Sequence, residues 1–383
     1  MGCCSKTAKA AIGLALLAVF VEVGSDLWKA GSLAIVGNLL GLLLASNKKG
    51  YCQTLGQILF STPEHERTAL QTRVANWGGF TLAARFMRQQ LDDPEVCREC
   101  AYFYCAMANF NRDASLIGGQ SDAVPVLIEA MRRHPQHSGL QAQGSASMGC
   151  WCDWTPETEE RVAALGGPQA ILAALKTFPA DAHVQFLGWA GLSSNSNRIP
   201  SKKLIIKAGA FDTGMEIMRD PALRHGFRVR QEIIMTFNNL AANCEECGSQ
   251  LMGTGDIIQQ VIEAMVEEVP DAERGTKADG IQLMWTLTKE NRTTRAAVFA
   301  ADFVPHAVAA MNKFPQRHPQ NAWPLSEFGL NLFMHLSEDD KEAQAALVKA
   351  GAVDAIKLVM STHPDSGERR HLGNILLQRL QAS

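Results

Sequence analysis

The sequence has no surplus charge of either sign: 36 basic residues against 39 acidic ones leave a formal net charge of −3. Without a global basic field, a nucleic-acid role would need a local patch, and none is expected. Aromatic residues are scarce, at 7% of the chain with only 3 tyrosines. Apolar bulk comes instead from Ala, Leu and 14 methionines within a hydrophobic fraction of 46%, a composition that suits closely packed helices better than sheets. Long apolar runs are missing as well. Ala10–Val21 and Ser32–Ala45 each fall short of the roughly 20 residues that a bilayer span needs. They read as buried helices that are apolar all round.

Catalytic signatures are also missing. The chain has no glycine-rich phosphate loop following a strand, no His-Glu-x-x-His and no Gly-x-Ser-x-Gly elbow, and its 10 histidines are scattered. The expectation is therefore a chain that is not an enzyme and takes neither a cofactor nor a small-molecule substrate.

What the sequence does have is repetition. Met131-Arg132-Arg133-His134-Pro135 returns as Leu175-Lys176-Thr177-Phe178-Pro179, Met311-Asn312-Lys313-Phe314-Pro315 and Met360-Ser361-Thr362-His363-Pro364, with looser copies ending at Met87, Met218 and Met265. From Met87 to Met360 the anchor steps by 44, 44, 43, 47, 46 and 49 residues. A period in the forties is the mark of an α-solenoid, in which each unit packs only on its neighbours. One unit shows the grammar. Thr155-Pro156 opens a short helix to Ala164, with acids facing the positive dipole end. Gly166-Gly167-Pro168 breaks it, a second helix runs from Gln169 to near Phe178-Pro179, and a third runs from about Ala182 to the Ser193-Ser194-Asn195 turn. The same corner recurs at Lys207-Ala208-Gly209 and Lys349-Ala350-Gly351, and more weakly at Thr254-Gly255-Asp256 and Ala301-Asp302.

These residues resemble armadillo repeats, in which a Gly-Ala corner turns a short first helix into the second; HEAT repeats are the neighbouring label. The Met-x-x-His-Pro linker is similar to that of the armadillo segment of leucine-rich-repeat kinases. The expected fold class is all-α, a right-handed α-solenoid of armadillo-like three-helix repeats. It divides into a candidate acylated segment at 1–9, apolar capping helices at 10–74 and the repeat solenoid at 75–383.

A small residue, Cys100, Gly144, Gly188 or Gly373, follows the anchor by 13 positions, and reads as a packing residue that lets layers approach. In the units ending at Met265 and Met311 the corresponding residues are Gly280 and Gly329, displaced by longer loops around Pro270–Gly275 and Pro315–Pro319.

In armadillo proteins the third helices line a concave groove, and those that hold extended peptides use a ladder of Asn side chains, whose amides pair with a peptide backbone. The positions that resemblance assigns to such a ladder carry Ala106, Cys150, Ser194, Thr286, His335 and Arg379; Asn239 alone matches. Recognition of a folded or helical partner is therefore expected in place of backbone clamping. Candidate contact residues are Trp151, Trp154, Trp189, Trp285 and Asn239, since interface hot spots favour Trp. The basic run Arg224–Arg230 adds Arg228 and Arg230, although cations at helix ends usually complement the dipole on a solvated face.

The 10 cysteines read as buried thiols in a reducing compartment, not as a disulfide framework. Two Cys-x-x-Cys pairs, Cys97/Cys100 and Cys244/Cys247, could together supply four thiolates to zinc. Three layers at roughly 8–10 Å each separate them by on the order of 25–30 Å, so no metal is expected.

The N-terminus, Met1-Gly2-Cys3-Cys4-Ser5-Lys6, points to a lipid anchor: myristate on Gly2 after loss of Met1, palmitate on Cys3 and Cys4, and attraction of Lys6 and Lys9 to anionic lipid. The usual motif has Ser or Thr where Lys6 stands. A signal peptide over 1–25, leading to a secretory route, is the rival reading. An acylated chain made otherwise of armadillo units resembles the armadillo-repeats-only proteins of protist parasites. That resemblance implies a membrane-attached adaptor, peripheral to a cytosolic membrane face, with protein partners. The alternative is a soluble regulatory or chaperone-like subunit without lipid.

Overall fold

The computed structural model describes residues 51–223, 228–267, 273–289, 291–315, 325–364 and 366–381. Among the described residues there are α-helices and one short 3-10 turn, and no strand. None of these helices is long and apolar enough to cross a membrane. The fold is all-α, and its helices come in triplets. The chain divides into two compact units, Met1–Ser201 and Lys202–Ser383.

In the first unit, α1 (Tyr51–Ser61) precedes three triplets. They are α2 (Glu64–Asn76), α3 (Gly79–Gln89) and α4 (Pro94–Ala108); α5 (Arg112–Gln120), α6 (Ala123–Arg133) and α7 (Ser138–Cys152); and α8 (Pro156–Ala164), α9 (Gly167–Thr177) and α10 (Ala182–Ser194). Helix α11 (Ile199–Lys207) crosses the division. The second unit continues with α12 (Ala210–Arg219), α13 (Val229–Ala241), α14 (Glu245–Met252), α15 (Ile257–Val266), α16 (Glu273–Lys289), α17 (Arg292–Ala300), α18 (Phe303–Lys313), α19 (Leu325–Leu336), α20 (Lys341–Lys349), α21 (Ala352–Thr362) and α22 (Gly367–Gln381). The first complete triplet opens at Glu64, so residue 75 lies in the last turn of α2. Of the two expected longer loops, Glu273–Gly275 are already the first turn of α16, and 316–319 lie outside the described residues.

The local grammar is built as the sequence implies. Asp93 caps α4 by accepting hydrogen bonds from the Glu95 and Val96 amides, and Asn111, Asp181, Asn291 and Asp340 cap later helices in the same way. Each cap satisfies donors that the first turn leaves without partners. Most corners between first and second helices use a left-handed residue, the exception being the corner before α6, where Asp122 has φ −68°. Gly166, Gly209 and Gly351 supply the left-handed conformation with φ of 88°, 96° and 87°, a region that costs glycine little. Asp302, at φ 57°, fills the same role where no glycine stands, as short polar side chains tolerate.

The repeated anchor explains the packing. Met87, Met131, Leu175, Met218, Met265 and Met311 are buried near the ends of the second helices and Met360 is half-buried, and in five units a Gly of the third helix makes room for the anchor side chain. A methyl added at Gly144 would lie 2.5 Å from Met131 Sδ, at Gly188 2.5 Å from Leu175 Cδ2, at Gly280 2.7 Å from Met265 Sδ and at Gly373 2.5 Å from Met360 Sδ; Gly329 meets Met311 likewise. In the first unit successive third helices also come close, since a methyl at Gly191 of α10 would stand 2.6 Å from the Ser145 carbonyl oxygen of α7.

A polar clasp accompanies the anchor in four units, three residues before the position that carries Gly in α7, α10 and α16 and Ile233 in α13. Gln141 Nε2 donates to the Met131 and His134 carbonyls at 2.9 Å each, and Gln185 Nε2 donates to those of Leu175 at 2.8 Å and Phe178 at 3.0 Å. In the second unit Arg230 and Lys277 do the same to the Met218 and Met265 carbonyls, at 3.2 Å and 2.6 Å. The Met131, Leu175, Met218 and Met265 carbonyls belong to the last turn of the second helix, where no helical amide reaches them, whereas those of the C-cap residues His134 and Phe178 also accept the His137 and Asp181 amides.

Replacing Gln185 with Leu leaves the Leu175 and Phe178 carbonyls without this donor and removes the acceptor of the Trp189 indole N–H. The expected loss is about 2–3 kcal/mol of stability, read as a lowered midpoint in thermal or urea denaturation; an unchanged midpoint contradicts the clasp.

Candidate functional site

The aromatic candidates separate by burial. Trp151, on α7, is wholly buried in a cluster with Phe80 and Tyr104, at ring separations of 6.3 and 5.5 Å. Trp189, on α10, is also wholly buried, and its Nε1 donates to Gln185 Oε1 at 3.0 Å. Both are core residues, so as partner contacts they are corrected: Trp151 packs among Phe80 of α3, Tyr104 of α4 and Gly118 of α5, and neither indole reaches the surface.

Trp154 is different. It lies at the corner between α7 and α8 and is 45% exposed. One repeat earlier, at the corner between α4 and α5, Phe110 is 75% exposed with φ 55°. Each stands immediately before the N-cap of its first helix, at Asn111 and Thr155. An apolar residue there often staples onto the fourth helical position, but those positions hold Ser115 and Glu159. The equivalent left-handed corners of the second unit carry Asn243 and Asp339, residue types that tolerate the conformation. Phe110 therefore sits in a costly backbone conformation with its ring in solvent. The 44-residue step from Phe110 to Trp154 was the sequence signal for it.

In the second unit, α13 and α16 flank a cavity of ≈ 200 Å³ lined among others by Asn238, Trp285 and Thr286. Thr286 Oγ1 donates to Asn238 Oδ1 at 2.6 Å, so the buried amide joining these third helices is Asn238. Asn239 beside it is half-buried. Trp285 is half-buried too, its ring stacked on Phe328 at 6.0 Å and its Nε1 without a hydrogen bond. The position expected to carry a ladder amide is thus occupied by a threonine that serves its neighbour helix.

Arg230 is 8% exposed and held by Glu267 at 2.7 Å together with the Met218 carbonyl. Its role as a partner contact is corrected, because the guanidinium is committed to the clasp. Arg228 is exposed at the N-cap of α13, and 224–227 lie outside the described residues. The other basic cluster is also structural: Arg133 pairs with Asp92, and His134 Nε2 bonds the Leu91 carbonyl at 2.6 Å.

Sequence reasoning missed two buried acids of the second unit. Asp279 is fully buried on α16, with Oδ2 accepting from Gln231 Nε2 at 3.0 Å and Oδ1 unpartnered; Glu232 on α13 is 9% exposed with Oε2 unpartnered. Burial pushes the Glu232 carboxyl up to about 7, against a smaller opposing pull from Arg228. Burial also holds the Asp279 carboxyl well above the usual carboxylate range, the Gln231 bond opposes this, and Glu232 adds to it. Asp279 lies one residue before Gly280 and Glu232 one residue before Ile233, where nothing in the period marks them.

The cysteines depart from expectation at one point. Cys244 and Cys247 form a disulfide, with Cα atoms 5.2 Å apart, because Cys244 is the N-cap of α14 and Cys247 lies in its first turn. Cys97 faces the Gln90 and Leu91 carbonyls, and burial raises its thiol to about 11. Among the described residues no group of three or more His, Cys, Asp or Glu side chains is placed to hold a metal ion. Gly2, Cys3 and Cys4 lie outside the described residues.

No protein-family model matches the chain, and no curated protein matches it in sequence. Solved structures do match. A designed armadillo repeat protein is 14% identical over 67% of this chain and 99% of its own, with a TM-score of 0.55. A chain from a study of the interaction between cadherin and β-catenin is 16% identical over 89% of this chain and 59% of its own, with a TM-score of 0.62. An engineered protein reaches a TM-score of 0.65 at 15% identity, covering 87% of this chain and 79% of its own. The chain thus has the fold of armadillo-repeat proteins.

The Glu232 carboxyl yields a pH prediction. An unfolded chain releases this proton near 4.5 and the folded chain near 7, so the folded state binds the extra proton between those values. Stability from this group is present below about 4.5 and is lost as pH rises to about 7. Glu232→Gln is expected to flatten that slope and to exceed the wild type above pH 7 by on the order of 2–3 kcal/mol, measured as Tm against pH. Parallel profiles for the two proteins contradict the assignment.

Proposed function

We propose that this armadillo-type chain is a non-enzymatic protein–protein interaction scaffold held at the cytosolic face of a membrane by acylation of Gly2 together with Cys3 or Cys4. The fold favours the coarser half of this reading. Solved neighbours of the same fold include a designed armadillo repeat protein in complex with the peptide (KR)4 and a chain from the cadherin and β-catenin interaction.

The observation that carries the scaffold reading is the pair Phe110 and Trp154, large apolar rings exposed at matching corners of successive repeats. Exposed aromatics of this kind are the usual anchors of protein interfaces. The lack of an Asn ladder favours a folded or helical partner that offers an apolar surface to these rings. The lipid half rests on the sequence Met1-Gly2-Cys3-Cys4 and the two lysines that follow. One myristoyl chain holds a protein weakly, and a second acyl chain makes attachment stable.

Two measurements test these halves separately. Gly2→Ala is expected to abolish alkynyl-myristate labelling and to move the protein from the membrane to the soluble fraction; unchanged fractionation favours the soluble regulatory subunit. The double variant Phe110→Ala/Trp154→Ala is expected to weaken capture of the native partner by about tenfold or more, as loss of hot-spot side chains does, with the helical circular dichroism retained. Full retention of the partner would place the interface elsewhere.

A further inference from the structure

Helix α4 carries two thiols that each face a thiol of a neighbouring helix. Cys100 Sγ lies 2.8 Å from Cys52 Sγ of α1, and Cys105 Sγ lies 2.8 Å from Cys150 Sγ of α7. The two pairs differ in access. Cys52 and Cys100 are buried, whereas Cys105 and Cys150 are both only half-buried. Cys150 also occupies one of the positions that face the groove in peptide-binding armadillo proteins, and its carbonyl accepts from Ser115 Oγ at 2.9 Å. A disulfide bond is about 2.05 Å long, so each sulfur pair needs to close by less than a bond length, along helices that already touch.

We propose that Cys105 and Cys150 form a redox modification site, oxidised by a small-molecule disulfide such as glutathione disulfide to a bond that staples α4 to α7. The chemistry balances by two exchanges. The thiolate of one cysteine attacks a sulfur of the small disulfide, forming a mixed disulfide and expelling one small thiolate, which takes up the released proton. The second cysteine, as thiolate, then attacks the protein sulfur of that mixed disulfide, forming Cys105–Cys150 and expelling the second small thiol. Two protein thiols are oxidised and one disulfide is reduced to two thiols. The Cys150 thiol is pushed well up, first by its contact with Cys105 and then by burial, which makes it the poorer first nucleophile and leaves the opening attack to Cys105.

The bond would close a loop between residues 45 apart in sequence, long enough for a cross-link to restrict the unfolded chain appreciably. Its native-state effect falls on the spacing of two third helices, and hence on the face that the scaffold offers a partner. The inference does not depend on the lipid anchor.

The full-length protein is incubated with glutathione disulfide, alkylated, digested with trypsin and sequenced by tandem mass spectrometry. The expected product joins the peptide Glu99–Arg112 to His134–Arg161, is absent from Cys105→Ser and from Cys150→Ser, and persists in Cys100→Ser and Cys152→Ser. Oxidation is expected to raise the Tm of the wild type by several degrees and to leave that of Cys105→Ser unchanged. Absence of the linked peptide, its persistence in Cys105→Ser, or its formation without a rise in Tm overturns the proposal.

Discussion

The contact between the end of each second helix and the start of the third is what the rest of this structure depends on. It has an apolar half and a polar half. A Met or Leu in the last turn of the second helix fills the space over a Gly of the third, as Met131 does over Gly144 and Leu175 over Gly188. A side chain three residues earlier, Gln141, Gln185, Arg230 or Lys277, closes on the carbonyls that the helix end exposes. Burial supplies the drive, and the hydrogen bonds prevent an unpaired carbonyl from opposing it. One or both halves of this contact recur with the period of the chain, so one local solution serves most of the layers.

This contact also sorts the residues available for function. Side chains that point from the third helix into the layers are consumed in packing, as Trp151 and Trp189 are. Those at the corners between third and first helices are released to solvent, as are Phe110 and Trp154. Arg230 is instructive because its charge drew attention to it as a surface residue, yet its register puts it in the clasp with Glu267 closing the other side. An arginine that shares a register position with two glutamines is best read by that position, not by its charge.

Much of the architecture was legible in the sequence for a physical reason. Helix ends, left-handed corners and the anchor contact each restrict residue type at one position, so Gly166, Gly351, Met131 and Gly144 leave a mark that repeats. The site was far less legible. Burial at a third-helix position depends on which neighbouring helix it faces, which is why Glu232 and Asp279 were passed over although they are the most strongly buried acids of the second unit. The Cys244–Cys247 bond is not legible in the sequence, because the three-residue spacing brings the sulfurs together only once Cys244 caps α14 and Cys247 enters its first turn. Phe110 was missed although Trp154 was noted, since an exposed aromatic has no periodic signature unless two repeats are aligned at the corner.

A size-exchange cycle at Met131 and Gly144 tests the anchor contact most directly. Denaturation would be measured for the wild type, for Met131→Ala, for Gly144→Leu and for the double variant. If the side chain at 131 fills the space over residue 144, each single change destabilises, by a cavity and by overpacking, and the double variant regains stability through a coupling of about 1 kcal/mol or more. Additive losses would mean that the two positions do not touch, and that the repeated phrase marks a helix end without building the layer.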